Sequence, residues 1–433
     1  MTFRVLCTGD VHIGRRASKV AGAYRCADAW SAIIDLAIEE QVDLLAVSGD
    51  IVDKEPRSYE ALGPLESGFQ RLERAGIEAV AVSGNHDHDV LHALSGVADG
   101  RRLWMLGRGG TWERHTFTGA DGSRLHVDGW SFPTEHVLDH PMQGYPAPAS
   151  DGTPVLGLLH GEVGVANSRY APIRLDDLWA QQVDLWLLGH IHAPKQFTSP
   201  GGVIAFYPGS PWAMDPGEPG VHGVWIAEFD ASQPPRLAQR AISPVHFDRA
   251  SVDLSPITGE TDFMDALMYT LRIRGEDAIA RHGHSLRIVS CRLHLSGRTP
   301  LHHQVVAWMQ KAKQDLGPIS TAGQAVIHLD DLTSDVRPAI DLAGFARGND
   351  PAGEAARLIL ALDEPVLDPA YAPLVRDTRE SIAAVNRHSG YATLAALDQQ
   401  EQVETAAEAE IRALLSDQAW NLLAALVGKK ELV

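Results

Sequence analysis

Asp43-Leu44-Leu45-Ala46-Val47-Ser48-Gly49-Asp50 is an unbroken apolar run that stops on a glycine and an aspartate. A run this short, rich in Val and Leu and without polar alternation, reads as a strand covered on both faces. The same shape recurs on either side of it. It stands upstream in Phe3-Arg4-Val5-Leu6-Cys7-Thr8-Gly9-Asp10 and downstream in Ala79-Val80-Ala81-Val82-Ser83-Gly84-Asn85-His86. Two further copies are Val155-Leu156-Gly157-Leu158-Leu159-His160 and Asp184-Leu185-Trp186-Leu187-Leu188-Gly189-His190. Helical periodicity fills several of the gaps, at 25–40, 59–75 and 175–182. Strands alternating with helices imply a layered α/β domain, whose chemistry gathers beyond the carboxyl ends of its strands.

The residues that end these runs are Asp, Asn and His, and they form a donor set. Asp10-Val11-His12 places a carboxylate and an imidazole two residues apart on an extended segment, so both side chains point one way. Gly49-Asp50 adds a carboxylate. Gly84-Asn85-His86-Asp87 adds an amide oxygen and an imidazole from a tight turn, His160 follows a strand, and Gly189-His190-Ile191-His192 gives two more imidazoles. Asp10, His12, Asp50, Asn85, His160, His190 and His192 are the candidate metal ligands, with His86 left over. Nitrogen and oxygen donors without thiolate suit Mn²⁺, Fe or Zn²⁺ better than Ca²⁺ or a structural zinc. Two divalent ions about 3.5–4 Å apart can clamp the attacking and leaving oxygens of a phosphate ester. Any one of these histidines alone reads as a structural residue; five motifs in order reverse that reading.

Composition bounds the rest. The chain has 433 residues, enough for two or three domains, and no apolar run long enough to span a bilayer. No secretory signal is read at its start, and Cys7, Cys26 and Cys291 match no zinc or redox spacing, so a reduced, cytoplasmic setting is expected. A net charge of −19 argues against promiscuous coating of nucleic acid, but not against a local groove leading to a metal site. After about Pro244 the texture changes: 247–254 and 285–295 read as strands, 263–279 and 301–316 as helices, and 325–329 as strand. A Gly/Pro/Asp-rich linker follows at 337–353, then Ala/Leu-rich helix with an acidic amphipathic tail at 394–426. The domains expected are therefore 1–243, 244–336 and 337–433.

Asp-x-His, Gly-Asp, Gly-Asn-His-Asp, His and Gly-His-x-His in this order resemble the calcineurin-like metallophosphoesterase superfamily, over residues 3 to 240. The resemblance implies a sandwich of central β-sheets flanked by helices, with a small α+β capping domain and a helical C-terminal region. It implies that one ion takes Asp10, His12, Asp50 and His192, and the other Asp50, Asn85, His160 and His190, with Asp50 bridging. His86 would be the non-ligand catalyst at the leaving oxygen, with Asp87 orienting it. Asp10-Val11-His12-Ile13-Gly14, Asp128-Gly129-Trp130-Ser131-Phe132, Tyr170-Ala171-Pro172 and Tyr207-Pro208-Gly209-Ser210-Pro211 are similar to the bacterial DNA-repair exonuclease group that contains SbcD and YhaO. That likeness implies Mn²⁺-dependent 3′-to-5′ exonuclease action on DNA, with endonuclease action at hairpins or single strands. It also implies a homodimer through the nuclease domain and an SbcC-like coiled-coil ATPase partner engaged by the helical tail. Arg15 and Arg16, directly after the first motif, are candidate DNA contacts, with an ordinary solvated pair as the alternative. Two other functions stay open: a phosphodiesterase or phosphatase for small molecules, and a non-enzymatic adaptor for the ATPase.

Overall fold

The computed structural model describes residues 2–15, 18, 24–53, 58–91, 103–146, 150–321, 325–386 and 408–430. Arg16, the second candidate DNA contact, lies outside the described residues, as does the start of the acidic tail, 394–407.

The five apolar runs all become strands. In chain order the first half contains β1 (Phe3–Thr8), α1 (Cys26–Glu39), β2 (Leu44–Val47), α2 (Ser58–Arg74), β3 (Glu78–Ala81), β4 (Trp104–Met105), β5 (Glu113–Thr118) and β6 (Arg124–Trp130). It continues with β7 (Val155–His160), the short pair β8 (Glu162–Val163) and β9 (Pro172–Ile173), α3 (Leu175–Trp179), β10 (Leu185–Gly189), β11 (Lys195–Thr198), β12 (Ile204–Tyr207), β13 (Gly223–Asp230) and β14 (Gln233–Ala241). Two six-stranded sheets result, in the orders β14-β13-β1-β2-β3-β4 and β11-β12-β10-β7-β6-β5. The central strands are parallel in both, β1-β2-β3 in one and β6-β7-β10-β12 in the other.

Residue alternation explains why the runs are apolar throughout. Val5, Cys7, Leu44, Ala46, Val80 and Val82 meet Leu125, Val127, Leu156, Leu158, Leu185 and Leu187 in one buried cluster between the sheets. Their neighbours Leu6, Leu45, Val47, Ala79 and Ala81 face the other way, against Trp30, Ile33, Ile34, Phe69 and Leu72 of α1 and α2. The outer face of the second sheet is covered by Trp130, Phe132, Leu178 and Tyr207 around Trp186. Gly157 is required beneath that tryptophan, because any Cβ there would collide with the indole ring.

The second half contains β15 (Val245–Asp253), α4 (Glu260–His282), β16 (Ile288–Ser296), β17 (Arg298–Thr299), α5 (His302–Asp315), β18 (Ile319–Ser320), β19 (Val326–Ser334) and β20 (Arg337–Pro338). A four-stranded sheet forms in the order β15-β16-β19-β18. The stretch read as a linker contains β20, paired with β17, and α6 (Leu342–Phe345). Asp341 caps α6 and Asp350 caps the next helix, α7 (Pro351–Asp363), each accepting from a glycine amide, with Pro351 at the helix start. Two more helices follow, α8 (Ala372–Asn386) and α9 (Glu408–Lys430). The chain divides into two compact units, one of Met1–Val252, Met264–His294 and Ala312–Thr333, the other of Asp253–Phe263, Leu295–Lys311 and Ser334–Val433. Among the described residues no helix is long and apolar enough to cross a membrane.

Candidate metal centre

The five motif segments all lie at carboxyl ends of strands, after β1, β2 and β3 of one sheet and at the ends of β7 and β10 of the other. Backbone bonds lace them together. The Asp10 amide donates to the Gly49 carbonyl and the His12 amide to the Asp50 carbonyl, both at 3.0 Å. The His190 amide donates to Asp10 Oδ1 at 3.0 Å, and the His86 amide to Asp50 Oδ1 at 2.8 Å. Asp10, His12, Asp50 and His190 all hold positive φ, at 51°, 49°, 50° and 103°. Such backbone costs on the order of 1–3 kcal/mol per residue and persists where the surroundings over-determine it, characteristically at functional sites. The motif glycines allow the close approach: a Cβ at Gly84 would strike the Asp50 carboxylate, and one at Gly189 the Ser48 carbonyl.

The side chains converge. His12 Nε2 lies 3.1 Å from His192 Nε2 and 3.8 Å from Asp50 Oδ2. His160 Nε2 lies 3.1 Å from Asn85 Oδ1 and 3.5 Å from Asp50 Oδ2, and His190 Nδ1 lies 3.2 Å from the same Asn85 oxygen. His160 Nδ1–H donates to the Ser48 carbonyl at 2.8 Å, which leaves Nε2 with its lone pair turned inward. Asp10–His12–His192, His12–Asp50–His86 and Asp10–Asp50–His160 each offer ligand atoms within 4.8 Å of one another. A divalent cation fits this donor set: buried carboxylates and imidazole nitrogens point at one another, an arrangement that costs free energy until a positive charge sits among them. Burial, then the neighbouring His160, pushes the His190 pKa down to about 3, so that ring stays neutral and its lone pair free.

One role read from the sequence is corrected. Asp87 does not hold His86. It is fully buried and accepts from the Gly84 and Ile51 amides at 2.8 and 2.7 Å, locking the Gly84–Asp87 turn to the end of β2. Burial and the charge of Asp50 raise its pKa to about 7. The carboxylate at His86 is Asp53, whose Oδ1 lies 2.9 Å from His86 Nδ1 and 3.6 Å from His12 Nδ1. Burial alone would lower the His86 pKa, but the Asp53 hydrogen bond and the Asp50 charge hold it above its ordinary value. A second carboxylate three residues after the Gly-Asp motif was the available signal for Asp53. Glu218 was also missed; its Oε1 lies 2.6 Å from His192 Nδ1, and 26 residues separate the two. Arg15 is in the structure an ion-pair partner of Asp215, at 3.4 Å.

Residues 3–194 match the family described as calcineurin-like phosphoesterase. That stretch contains every candidate ligand, from Asp10 to His192. The family is one of metal-dependent phosphoester hydrolases. The chain is 28% identical to the uncharacterized metallophosphoesterase YhaO of Bacillus subtilis over 287 residues, 62% of this chain and 63% of that protein. It is 24% identical to the DNA double-strand break repair protein Mre11 of Methanopyrus kandleri over 255 residues, 53% and 54% of the two chains. The matches thus span less than two thirds of either relative's length. A dimetal phosphatase from Danio rerio is 13% identical, covering 52% of this chain and 92% of that one, with a TM-score of 0.33, too low to bear on function.

Proposed function

We propose that this phosphoesterase domain is a two-metal nuclease that cleaves DNA phosphodiester bonds, acting 3′ to 5′ as an exonuclease with some endonuclease action. The observation that carries the hydrolytic reading is the convergence of donor atoms from five strand ends around Asp50, with His86 beside them. Asp10, His12, Asp50 and His192 would hold one ion and Asp50, Asn85, His160 and His190 the other. When bound, such a pair supplies Lewis acidity and neutralises charge developing on the phosphate; Mn²⁺ is the favoured metal. His86, half-buried and with its pKa raised by Asp53, gives its proton to the leaving oxygen. The positive-φ loops hold the carboxylates in place before substrate arrives.

DNA as substrate is supported by the Mre11 relative and by the sheet-and-helix region after residue 244, which a small substrate would not need. The reading extends to a coiled-coil ATPase partner docked on the C-terminal helices, a homodimer through the nuclease domain and a cytoplasmic location. Incubation with Mn²⁺ and linear duplex DNA should release nucleotides, and Asp50→Ala or His86→Ala should abolish release. Absence of DNA degradation under every divalent metal, alone or with the ATPase, rejects this assignment. The net charge of −19 favours one competitor, a small-molecule phosphodiesterase. Rapid turnover of a small diester without DNA binding at low salt would establish it.

A further inference from the structure

His192 is held from behind by the loop that follows β12 and begins with the Pro208-Gly209-Ser210-Pro211 segment. Glu218 is buried, with 5% of its surface exposed, and its Oε1 accepts from His192 Nδ1 at 2.6 Å. Its other oxygen accepts from the Met214 amide at 2.7 Å and faces Ser210 Oγ at 3.4 Å. The Ser210 amide in turn donates to the His192 carbonyl at 2.9 Å. Gly209, with φ of 78°, lets the loop come this close, because a Cβ there would meet the His192 carbonyl oxygen at 2.6 Å. The far end of the loop is pinned to β15, where the Gly220 carbonyl meets His246 Nδ1 at 2.9 Å and Pro219 bridges Phe247.

We propose that Glu218 is a positioning residue for metal binding: it keeps the proton of His192 on Nδ1 and so presents the Nε2 lone pair to the ion shared with Asp10 and His12. This rests on the two-metal reading above. Three observations point to it. His192 Nε2 is the nitrogen turned toward His12 Nε2, 3.1 Å away, so the ring is useful only in the tautomer that a carboxylate at Nδ1 enforces. Among the described residues Glu218 forms no ion pair with a lysine or arginine, and the one ionisable hydrogen-bond partner of its carboxylate is His192, since His222 Nε2 meets only its backbone carbonyl, at 3.1 Å. A buried carboxylate so placed needs positive charge on the far side of the imidazole, where the donor cluster lies. Carboxylates that orient ligand histidines change metal affinity without touching the metal, typically about 10–100-fold when removed.

The test is Mn²⁺ titration of the metal-free full chain by calorimetry, without any assay of turnover. Wild type should take up two ions. Glu218→Gln should weaken one of them about 10–100-fold and leave the other unchanged. His192→Ala should weaken the same ion, and in that background Glu218→Gln should have no further effect, because its action runs through the imidazole. Ser210→Ala, which loosens Glu218 without removing it, should give a smaller loss at the same ion and serves where the Gln variant does not fold. Unchanged affinities in Glu218→Gln, or an equal further loss in the His192→Ala background, overturn the proposal. A wild-type chain that binds no pair of ions overturns the two-metal reading itself, before any variant is made.

Discussion

Two carboxylates, the half-buried Asp53 and the buried Asp87, sit within a few residues of His86 or of Asp50, and only geometry tells them apart. The family resemblance pairs Asp87 with His86, yet the turn points the Asp87 carboxylate into the protein, toward the Gly84 and Ile51 amides. Asp87→Ala should therefore lower stability by about 1–3 kcal/mol, the cost of stranding buried donors, read as a lower urea midpoint. Asp53→Asn should leave that midpoint nearly unchanged and reduce turnover at neutral pH. Its pH profile carries the sign. Asp53 raises the His86 pKa, so the proton that His86 is proposed to give is present below that pKa and lost as pH rises through it. In Asp53→Asn the falling alkaline limb should move to lower pH; an unmoved limb would remove Asp53 from this role. The residues that converge here stood out in the sequence, because each ends an apolar run or lies two residues past its end. Asp53 and Glu218 were not, since the chain distance between partners says nothing about a bond made through a fold.

Elements were legible in proportion to how completely they are buried. β1, β2, β3, β7 and β10 stand out because both faces are covered, so no polar residue interrupts them. The strands β11 and β14, with exposed or half-exposed sequences such as Lys195–Thr198 and Gln233–Ala241, carry no such signal. A histidine pair joins the end of α4 to β15: His282 Nε2 lies 3.0 Å from His246 Nδ1, both rings buried. Burial, then the charges of His246, His222 and Arg281, push the His282 pKa down to about 3. The folded state thus keeps His282 neutral while the unfolded chain takes up a proton below about pH 6.5. The sign is that stability is full above that value and falls as pH drops toward 3, by up to about 1.4 kcal/mol per unit from this group. Denaturant melts at pH 7, 6 and 5 should show the decline, and His282→Gln should flatten it. A slope unchanged in the variant would place the titration elsewhere.

On the scale of the molecule, two compact units each gather separated segments of the chain. The strands β15, β16, β19 and β18, all within 244–336, pair into one sheet. The linker expected at 337–353 carries a short helix because Asp341 and Asp350 supply caps, a local signal outweighed in the sequence by the surrounding Gly and Pro. The metal centre also has a global readout. Asp10 and Asp50 are buried side by side, so divalent ions that bind only the folded state should stabilise the whole domain. At one hundred times its dissociation constant an ion adds about 2.7 kcal/mol. Chelation should lower the melting temperature and Mn²⁺ restore it, whereas Asp50→Ala should abolish the response; an unresponsive wild type would argue against bound ions.

The lacing of the motif loops has a mechanical side. Ser48 Oγ reaches the Leu188 carbonyl at 3.2 Å, the Ser83 amide reaches Ser131 Oγ at 2.9 Å, and His160 reaches the Ser48 carbonyl at 2.8 Å. Each of these bonds crosses from one sheet to the other, and each lies at the carboxyl ends of the strands. The apolar layer between the sheets adheres without direction, but these bonds act as a spine along one margin, as in a bound book. Thermal breathing should part the leaves from the opposite margin, so deuterium should enter last at the amides of Ser83, Gly161 and His190.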